Sequence, residues 1–465
     1  MKKDIFRLCV TNLIKMMVGV IVAFIIPMML SVEQYGYLKL YQFYATYLGI
    51  SHLGFCDGIY LEYGGANAEE ICKKKISREN STLFLYELAV ATCFIVIGIA
   101  NKNFIVFSLG MTVIPAALFT FYTYIYQAAG ELKKYTWIMN CSTCINLLMH
   151  VGLILMGVDD YRVYIVASCL MQWLSFLLGA LSFIKNKWIG FSGFSVTIFY
   201  KFVKMGILLM IGNFAYTIFL GIDKWFIKFT MGITEFSLYS FSAQMLLFVN
   251  MFVSPVAMTL YSNISRRKSQ NFEIRIRKIL VVILMSMPMA IYAIEFIVNK
   301  FIGQYSTAIN IISVLMITQI FLVINTAVFV NLYKAYHRQR DYFLRMCMAL
   351  IVALVLDIVV AVKNPDMMSY AIATLLSCLV WLIMNMSCFR YMFPSKYEIA
   401  FVIFLLGAHI GIRRFDLWLR MVVYGLLYIV MVHICMKDVW DYLMGQVKNV
   451  VKKIERLKFF IVKNI

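Results

Sequence analysis

Residues 104–127 read FIVFSLGMTVIPAALFTFYTYIYQ and contain no Asp, Glu, Lys or Arg. A helix needs about 20 mostly apolar residues to cross the hydrocarbon core of a bilayer, and this run is long enough to do so. Similar runs recur along the 465-residue chain, in which 63% of the residues are hydrophobic and 14% are charged. Ordinary soluble domains carry about 25% charged residues. The sequence therefore predicts an all-α, polytopic membrane protein.

Fourteen apolar segments, each bounded by charged or turn-forming residues, are predicted to be transmembrane helices. They lie at 8–30, 36–60, 81–100, 104–127, 136–158, 162–184, 202–222, 236–263, 279–298, 306–333, 343–362, 367–390, 397–412 and 416–436. The segment at 397–412 is short and a basic loop follows it, so a twelve-helix protein whose last pair does not span is the alternative. The first segment is longer than the apolar core of a signal peptide and lacks a cleavage pattern, so we expect it to be retained.

The net charge of +20 indicates how the chain is oriented. If the N-terminus is cytoplasmic, 32 of the 43 Lys and Arg residues fall on the inner side of fourteen alternating segments and 9 fall on the outer side. The positive-inside rule describes this asymmetry. The pattern predicts that both termini are cytoplasmic, and it explains the basic excess without a nucleic-acid partner.

A short pattern occurs twice, after the first and after the seventh segment. Residues 31–37 read SVEQYGY and residues 232–240 read GITEFSLYS, so that an acidic turn precedes an aromatic residue and a tyrosine in both. Glu33 and Glu235 are 202 positions apart with six predicted helices between them, as in a parallel duplication. We therefore expect two pseudo-symmetric six-helix lobes around a central cavity. The predicted parts are an N-terminal lobe at 1–200, a C-terminal lobe at 201–395, an extra helix pair at 396–437 and a basic tail at 438–465.

The tail spaces lysines and apolar residues at roughly helical intervals between 446 and 463. This pattern predicts an amphipathic helix on the anionic inner leaflet, and a solvated tail is the alternative.

A lysine inside the first apolar segment is the least expected charge in the sequence. Lys15 lies well inside the inner half of the membrane, where an ionisable group is costly unless it faces a wet cavity or a partner. Lys39 stands near the start of the second segment. A cavity lysine suits an anionic ligand such as a diphosphate, whereas snorkelling toward the cytoplasm is the alternative for Lys15. His150, His409 and His433 lack metal-ligand spacing, so we expect no metal site and no cofactor.

Three stretches carry a resemblance to a known family. They are LSVEQYGY at 30–37, LGFCDG at 53–58 with YGG at 63–65, and the stretch from Asp223-Lys224 through Glu235 to Tyr239. In order and spacing they resemble the polysaccharide or oligosaccharide flippases, of the lipid-linked O-antigen type, in the multidrug/oligosaccharidyl-lipid/polysaccharide (MOP) exporter superfamily. The fourteen-segment pattern extends the likeness over nearly the whole chain.

The resemblance implies a transporter rather than an enzyme, with no catalytic residue. It would move an undecaprenyl-diphosphate oligosaccharide from the cytoplasmic to the outer leaflet of a bacterial inner membrane. The implied partners are that lipid-linked substrate, membrane lipids and the polymerase or glycosyltransferases of the same pathway. The family's cationic lumen implies roles for Lys15, Lys39 and Lys224. If an ion gradient drives transport, the candidate carriers are Asp57, Glu62, Glu87 and Asp357, several of which have snorkelling to the interface as an alternative.

Three other functions fit parts of the sequence. A cation-coupled drug exporter of the same superfamily would be expected to have acidic cavity residues. A polytopic polysaccharide polymerase or glycosyltransferase generally carries catalytic residues in a large outer loop, and the longest outer loop predicted here has about a dozen residues. A lipid II flippase would share nearly every feature described above.

The charge asymmetry generates a prediction about topology. A reporter fused after Lys437 should report the cytoplasm, because an even number of crossings returns the chain to the side of its N-terminus. Activity of alkaline phosphatase and fluorescence of green fluorescent protein at that position measure the side. A periplasmic signal would contradict the even number of crossings.

Overall fold

The structure is a computed structural model that describes residues 2–66, 72–186, 188–190, 192–246, 249, 260, 264, 269–442 and 444–445. This part of the chain is helical and contains no β-strand. The helices before residue 246 are α1 (Lys2–Met29), α2 (Val32–Ala45), α3 (Phe55–Glu62), α4 (Lys73–Ala100), α5 (Phe104–Ala128), α6 (Leu132–Leu155), α7 (Tyr161–Lys185), α8 (Val196–Phe219), α9 (Ile222–Thr230) and α10 (Ile233–Gln244). The helices after residue 269 are α11 (Gln270–Leu284), α12 (Met287–Phe301), α13 (Ile309–Val323), α14 (Val330–Ala335), α15 (Gln339–Lys363), α16 (Met367–Cys388), α17 (Lys396–Gly411) and α18 (Leu417–Cys435). A π-helical stretch, Ile324–Phe329, joins α13 to α14.

Two compact units make up the chain. The first contains residues 1–251 and 350–373, and the second contains residues 252–349 and 374–465. The lobe boundaries inferred from the repeat stay a prediction. The predicted amphipathic stretch at 446–463 lies outside the described residues.

Eleven helical stretches in the described part are long and apolar enough to cross a membrane. They coincide with eleven of the fourteen predicted segments, so the prediction of a polytopic all-α membrane protein is confirmed and its helix count is approximate. The other three segments fall short for different reasons. The segment at 36–60 is broken between α2 and α3, the one at 236–263 runs beyond the described residues, and the one at 397–412 forms the 16-residue helix α17.

Capping side chains set where several helices begin. Ser31 and Asn103 accept hydrogen bonds from backbone amides in the first turns of α2 and α5. Ser395 and Glu398 form a reciprocal capping box at the start of α17. Each capping side chain satisfies amide donors that have no partner inside the helix, so the polar residues that flank the apolar runs determine where those helices start.

The break in the segment at 36–60 is caused by a close approach of two backbones. Leu53 and Gly54 have positive φ angles of 50° and 84°, and α3 begins directly after them. Helix α3 packs against α8, where a Cβ atom added at Gly206 would overlap the Gly54 carbonyl oxygen and the Gly58 amide nitrogen. Small residues at helix interfaces permit such contact in membrane proteins. The chain therefore turns at residue 54 so that α3 can lie against α8.

Buried polar contacts hold α17 and α18 in the second unit. The side chains of Arg277 in α11 and Glu398 in α17 are 2% and 3% exposed, and their charged groups lie 2.7 Å apart. Arg420 in α18 donates two hydrogen bonds, of 3.0 and 2.7 Å, to the carboxylate of Glu295 in α12. Arg420 is one of the basic residues assigned to the outer side against the positive-inside rule, and this pairing offsets its charge. Removing one partner of a buried pair leaves an uncompensated charge, which is strongly destabilising.

The contact between α3 and α8 generates a stability prediction with a control on the same helix. Gly206→Ala should lower the free energy of unfolding by roughly 1–3 kcal/mol, because the methyl group meets backbone atoms that cannot rotate away. Gly212→Ala should be neutral or slightly stabilising, because nothing lies within 4 Å of its added Cβ and alanine favours helix. Thermal unfolding of the purified proteins in detergent measures the difference. Equal melting temperatures for the two variants would contradict the close packing.

Candidate functional site

Two of the three candidate lysines line one cavity in the first unit. Lys39 of α2 and Lys224 of α9 are part of the wall of a space of about 300 Å³, which we call the lysine cavity. Its other lining residues are Gln42, Phe43, Thr46, Ser240, Ala243 and Gln244. No Asp or Glu is among the described residues of this wall, so the lysine cavity is cationic.

The two copies of the repeated sequence pattern meet beside this cavity. Helix α2 packs against α10, and a Cβ atom added at Gly36 would come within 2.7 Å of the Ile233 carbonyl oxygen. The Tyr35 hydroxyl donates a 3.0 Å hydrogen bond to the side chain of Gln244. Gly36 therefore allows the close approach that brings Lys39, one turn further along α2, to the same cavity as Gln244 at the end of α10.

Lys39 is positioned by its own helix. Its ammonium group donates a 2.9 Å hydrogen bond to Oε1 of Gln42, and its Nζ lies 5.0 Å from the centre of the Tyr35 ring. The ring and the amide oxygen stabilise a cation without cancelling its charge. No described carboxylate forms an ion pair with Lys39, so its charge is available to a ligand in the lysine cavity.

Lys224 follows an acidic residue, and the carboxylate of that residue has other partners. Asp223 is buried and accepts hydrogen bonds from the Tyr239 hydroxyl at 2.5 Å and from the Lys224 backbone amide at 2.7 Å. The Lys224 ammonium group lies 5.9 Å from the centre of the Phe43 ring and forms no ion pair with a described residue. The Asp223 carboxylate acts electrostatically on the Lys224 ammonium group without an ion pair between the two side chains in the described part of the chain.

A cluster of aromatic rings extends one wall of the lysine cavity. Trp225 stacks on Tyr44 with ring centres 5.2 Å apart, and its ring centre lies 5.1 Å from that of Phe43 and 5.6 Å from that of Tyr47. Aromatic pairs of this kind add stability beyond the area that they bury. The sequence alone did not lead us to these rings. Phe43 and Tyr47 are four positions apart, with Tyr44 next to Phe43, and this helical spacing could have drawn attention to them.

Lys15 lies apart from the other two lysines. Its side chain is exposed on α1, a helix that packs against α6, and it does not line the lysine cavity. Its role in substrate binding stays a prediction, and the structure does not bring it together with Lys39 and Lys224.

Three of the four acidic candidates are buried. Asp57, Glu87 and Asp357 are 5%, 0% and 2% exposed. Glu87 accepts a 3.1 Å hydrogen bond from Ser51, while its Oε2 and the Oδ1 of Asp357 have no hydrogen-bond partner in the described part of the chain. Buried carboxylates that lack partners are rare and often functional. Their role in ion coupling stays a prediction.

Glu62 differs because it lies at the exposed end of α3, outside the stretches that can cross a membrane. Its Oε1 accepts hydrogen bonds from Lys201 at 2.7 Å and from Lys75 at 2.8 Å. These hydrogen bonds lower the pKa of Glu62 below its ordinary value of 4.5. The three charges link α3 to α8 and α4, so they form a structural cluster.

The Glu62 cluster generates a prediction about pH. Because the folded state lowers the pKa of Glu62, its contribution to stability is complete above the ordinary value of 4.5 and is lost as the pH falls through the folded value. Glu62→Gln should therefore destabilise the protein at pH 7, by about 1 kcal/mol or less for each partly exposed pair, and the difference from wild type should shrink as the pH falls below 4.5. Melting temperatures in detergent across this range measure the effect. Glu131→Gln serves as the control, because Glu131, which directly precedes α6, makes one longer contact of 3.5 Å to Lys134 in the first turn of that helix. A difference in melting temperature between Glu62→Gln and wild type that does not change with pH would contradict the stabilising role of the Glu62 ion pairs.

The family described as "Polysaccharide biosynthesis protein" matches residues 1–266, which is more than half of the chain. No curated protein sequence matches this chain. A solved structure described as "Lipid II flippase MurJ, inward closed conformation" is 15% identical, with a TM-score of 0.72 over 92% of this chain and 98% of the other. A second, "Inward-facing conformation of a multidrug resistance MATE family transporter of the MOP superfamily", is 10% identical, with a TM-score of 0.61 over 82% and 95%.

At such identities the likeness is one of fold, and both of these structures are of flippases or transporters rather than enzymes. The family match, by contrast, rests on the sequence itself and includes both lysines of the lysine cavity. The chain belongs to the polysaccharide biosynthesis protein family and has the flippase and transporter fold of the MOP superfamily.

Proposed function

We propose that the protein is a flippase that moves an undecaprenyl-diphosphate-linked oligosaccharide from the cytoplasmic to the outer leaflet of the bacterial inner membrane, for the synthesis of a surface polysaccharide. The observation that carries the proposal is the lysine cavity, in which Lys39 and Lys224 face a common space without a carboxylate in its wall. Family membership supports the same class of substrate.

The positive charge of the lysine cavity favours anionic ligands over cationic ones. Two ammonium groups in one cavity repel each other, and each is costly inside a membrane protein without a partner. A diphosphate placed between them would relieve both costs, since each lysine can meet a phosphate oxygen as a compact point charge. A cationic drug would add to the repulsion. The cavity therefore favours an anionic lipid headgroup over the cations that a cation-coupled drug exporter carries.

The chemistry of the substrate requires a protected path. Sugar hydroxyls and phosphates cannot enter hydrocarbon without losing their hydrogen-bond partners, at a cost of several kcal/mol for each group. The polyprenyl chain has no such penalty and can stay in the bilayer.

We propose that the two lobes alternate access to the headgroup site, that both termini are cytoplasmic, and that the buried acids Asp57, Glu87 and Asp357 are the candidates for ion coupling. A polymerase or glycosyltransferase of the same pathway would supply or consume the substrate.

A lipid II flippase remains the alternative that shares this chemistry, because lipid II is also a polyprenyl diphosphate. The likeness to MurJ is one of fold and does not decide between the two substrates. Competition between lipid II and an undecaprenyl-diphosphate oligosaccharide for binding to the purified protein would separate them.

The lysine cavity generates a prediction about binding. Lys39→Gln and Lys224→Gln should each weaken the binding of undecaprenyl diphosphate about tenfold or more, because a hydrogen bond to a charged group contributes roughly 1.5–3 kcal/mol. The double variant should fail to restore surface polysaccharide in a strain that lacks the protein, at matched protein levels. Binding to the protein in lipid nanodiscs and surface glycan staining are the two measurements.

Lys228→Gln is the matched control, since Lys228 lies one turn after Lys224 on α9 and does not line the lysine cavity. Lys39→Arg should keep most of the binding because it keeps the positive charge. Full binding and full complementation by the Lys39→Gln, Lys224→Gln double variant would refute the proposed role of the cavity.

A further inference from the structure

A second cavity lies beside the first in the same unit and differs from it in charge. It has a volume of about 330 Å³ and is lined by side chains from α2, α5, α6 and α7. Amides and hydroxyls dominate its wall, and no Lys, Arg, Asp or Glu lines it in the part of the chain that the structure describes. We call it the amide–hydroxyl cavity. Its volume is at the small end of the range of about 300–1,000 Å³ that is typical of small-molecule sites.

The two cavities adjoin each other. Gln42 of α2 and Thr46, which directly follows α2, belong to both walls. Oε1 of Gln42 accepts the hydrogen bond from Lys39, and the same side chain also lines the uncharged space. A ligand that extends past Gln42 would therefore pass from a cationic to a neutral environment.

Several polar groups in the amide–hydroxyl cavity have unused hydrogen-bonding capacity. The side-chain amides of Asn146 in α6 and Gln172 in α7 make no hydrogen bond to any residue in the described part of the chain, although both are partly buried. His150 is buried, and its Nδ1 lies 2.8 Å from the Asn146 carbonyl oxygen, which leaves its Nε2 for another partner.

Polar residues in membrane helices often hydrogen-bond to a neighbouring helix, and Ser142 does so with Ser175 across a distance of 2.7 Å. Asn146 and Gln172 do not make such contacts, and a polar cavity of this size does not stay dry. These groups therefore face water or a ligand. Amide groups that both donate and accept, next to hydroxyl groups, match the hydroxyls of an uncharged sugar.

We propose that the amide–hydroxyl cavity is a saccharide subsite, which receives an uncharged hexose or N-acetylhexosamine residue while the lysine cavity holds the diphosphate to which that sugar is attached. This inference rests on the proposed function. In a glycosyl diphosphate the first sugar is bonded directly to a phosphate oxygen, so the two subsites must adjoin, and the shared wall of Gln42 and Thr46 satisfies that requirement.

The test compares two probes on the full-length protein in lipid nanodiscs, bare undecaprenyl diphosphate and undecaprenyl diphosphate carrying one N-acetylglucosamine. Wild type should bind the glycosylated probe more tightly. The double variant Asn146→Leu, Gln172→Met removes two amides at similar volume. It should lose about tenfold in affinity for the glycosylated probe and change less than about twofold for the bare lipid, because each lost hydrogen bond contributes roughly 0.5–1.5 kcal/mol.

Asn213→Leu is the matched control, since it makes the same change of amide to hydrocarbon on α8 at a residue that lines neither cavity. It should leave both affinities unchanged, and thermal unfolding of the double variant in detergent reports whether that variant is folded. Equal binding of both probes by wild type, or equal weakening of both by the double variant, would overturn the saccharide subsite and leave the lysine cavity standing. Absence of binding to either probe by wild type would overturn the proposed function itself.

Discussion

The backbone of α3 lies directly against the backbone of α8, with no room for a Cβ atom at Gly58 or Gly206. This contact holds the chain in a turn at Gly54 and so divides a stretch that is apolar enough for one long helix. Helix α2 ends at Ala45, and Gln42 in its last turn and Thr46 directly after it line both cavities. Close packing of two glycine-bearing surfaces thus explains where α3 begins.

Two sets of charged groups in the described part of the first unit contrast with each other. Glu62 is surrounded by lysines at the end of α3, and this cluster joins three helices without facing a cavity. Lys39 and Lys224 have aromatic rings and amides around them but no carboxylate at ion-pair distance. A charge that is paired stabilises the fold, whereas a charge that is kept unpaired at some cost is available to a ligand.

The sequence predicted the helical membrane fold well because the apolar segments are long and their boundaries are polar. It also pointed to Lys39 and Lys224. It could not predict that the second segment breaks, because the reason lies in Gly206, about 150 positions away in the chain. For the same reason it could not group Gln42, Asn146 and Gln172, which come from three helices and have no common spacing. Lys15 stood out by its depth in the first segment, but which face of α1 it occupies depends on packing against α6.

The two cavities would contribute differently to substrate recognition. Every polyprenyl-diphosphate glycan carries the same diphosphate, so a site made of Lys39 and Lys224 gives affinity without distinguishing one glycan from another. Discrimination must come from groups that contact the sugar, and a polar site rejects a ligand that leaves its buried donors and acceptors unpaired. Uncharged amides suit this task. A hydrogen bond to the right sugar adds only a little binding free energy, whereas a buried amide left unpaired by the wrong sugar costs more. If the lysine cavity holds the diphosphate, Asn146 and Gln172 are the residues at which related flippases with different glycans should differ.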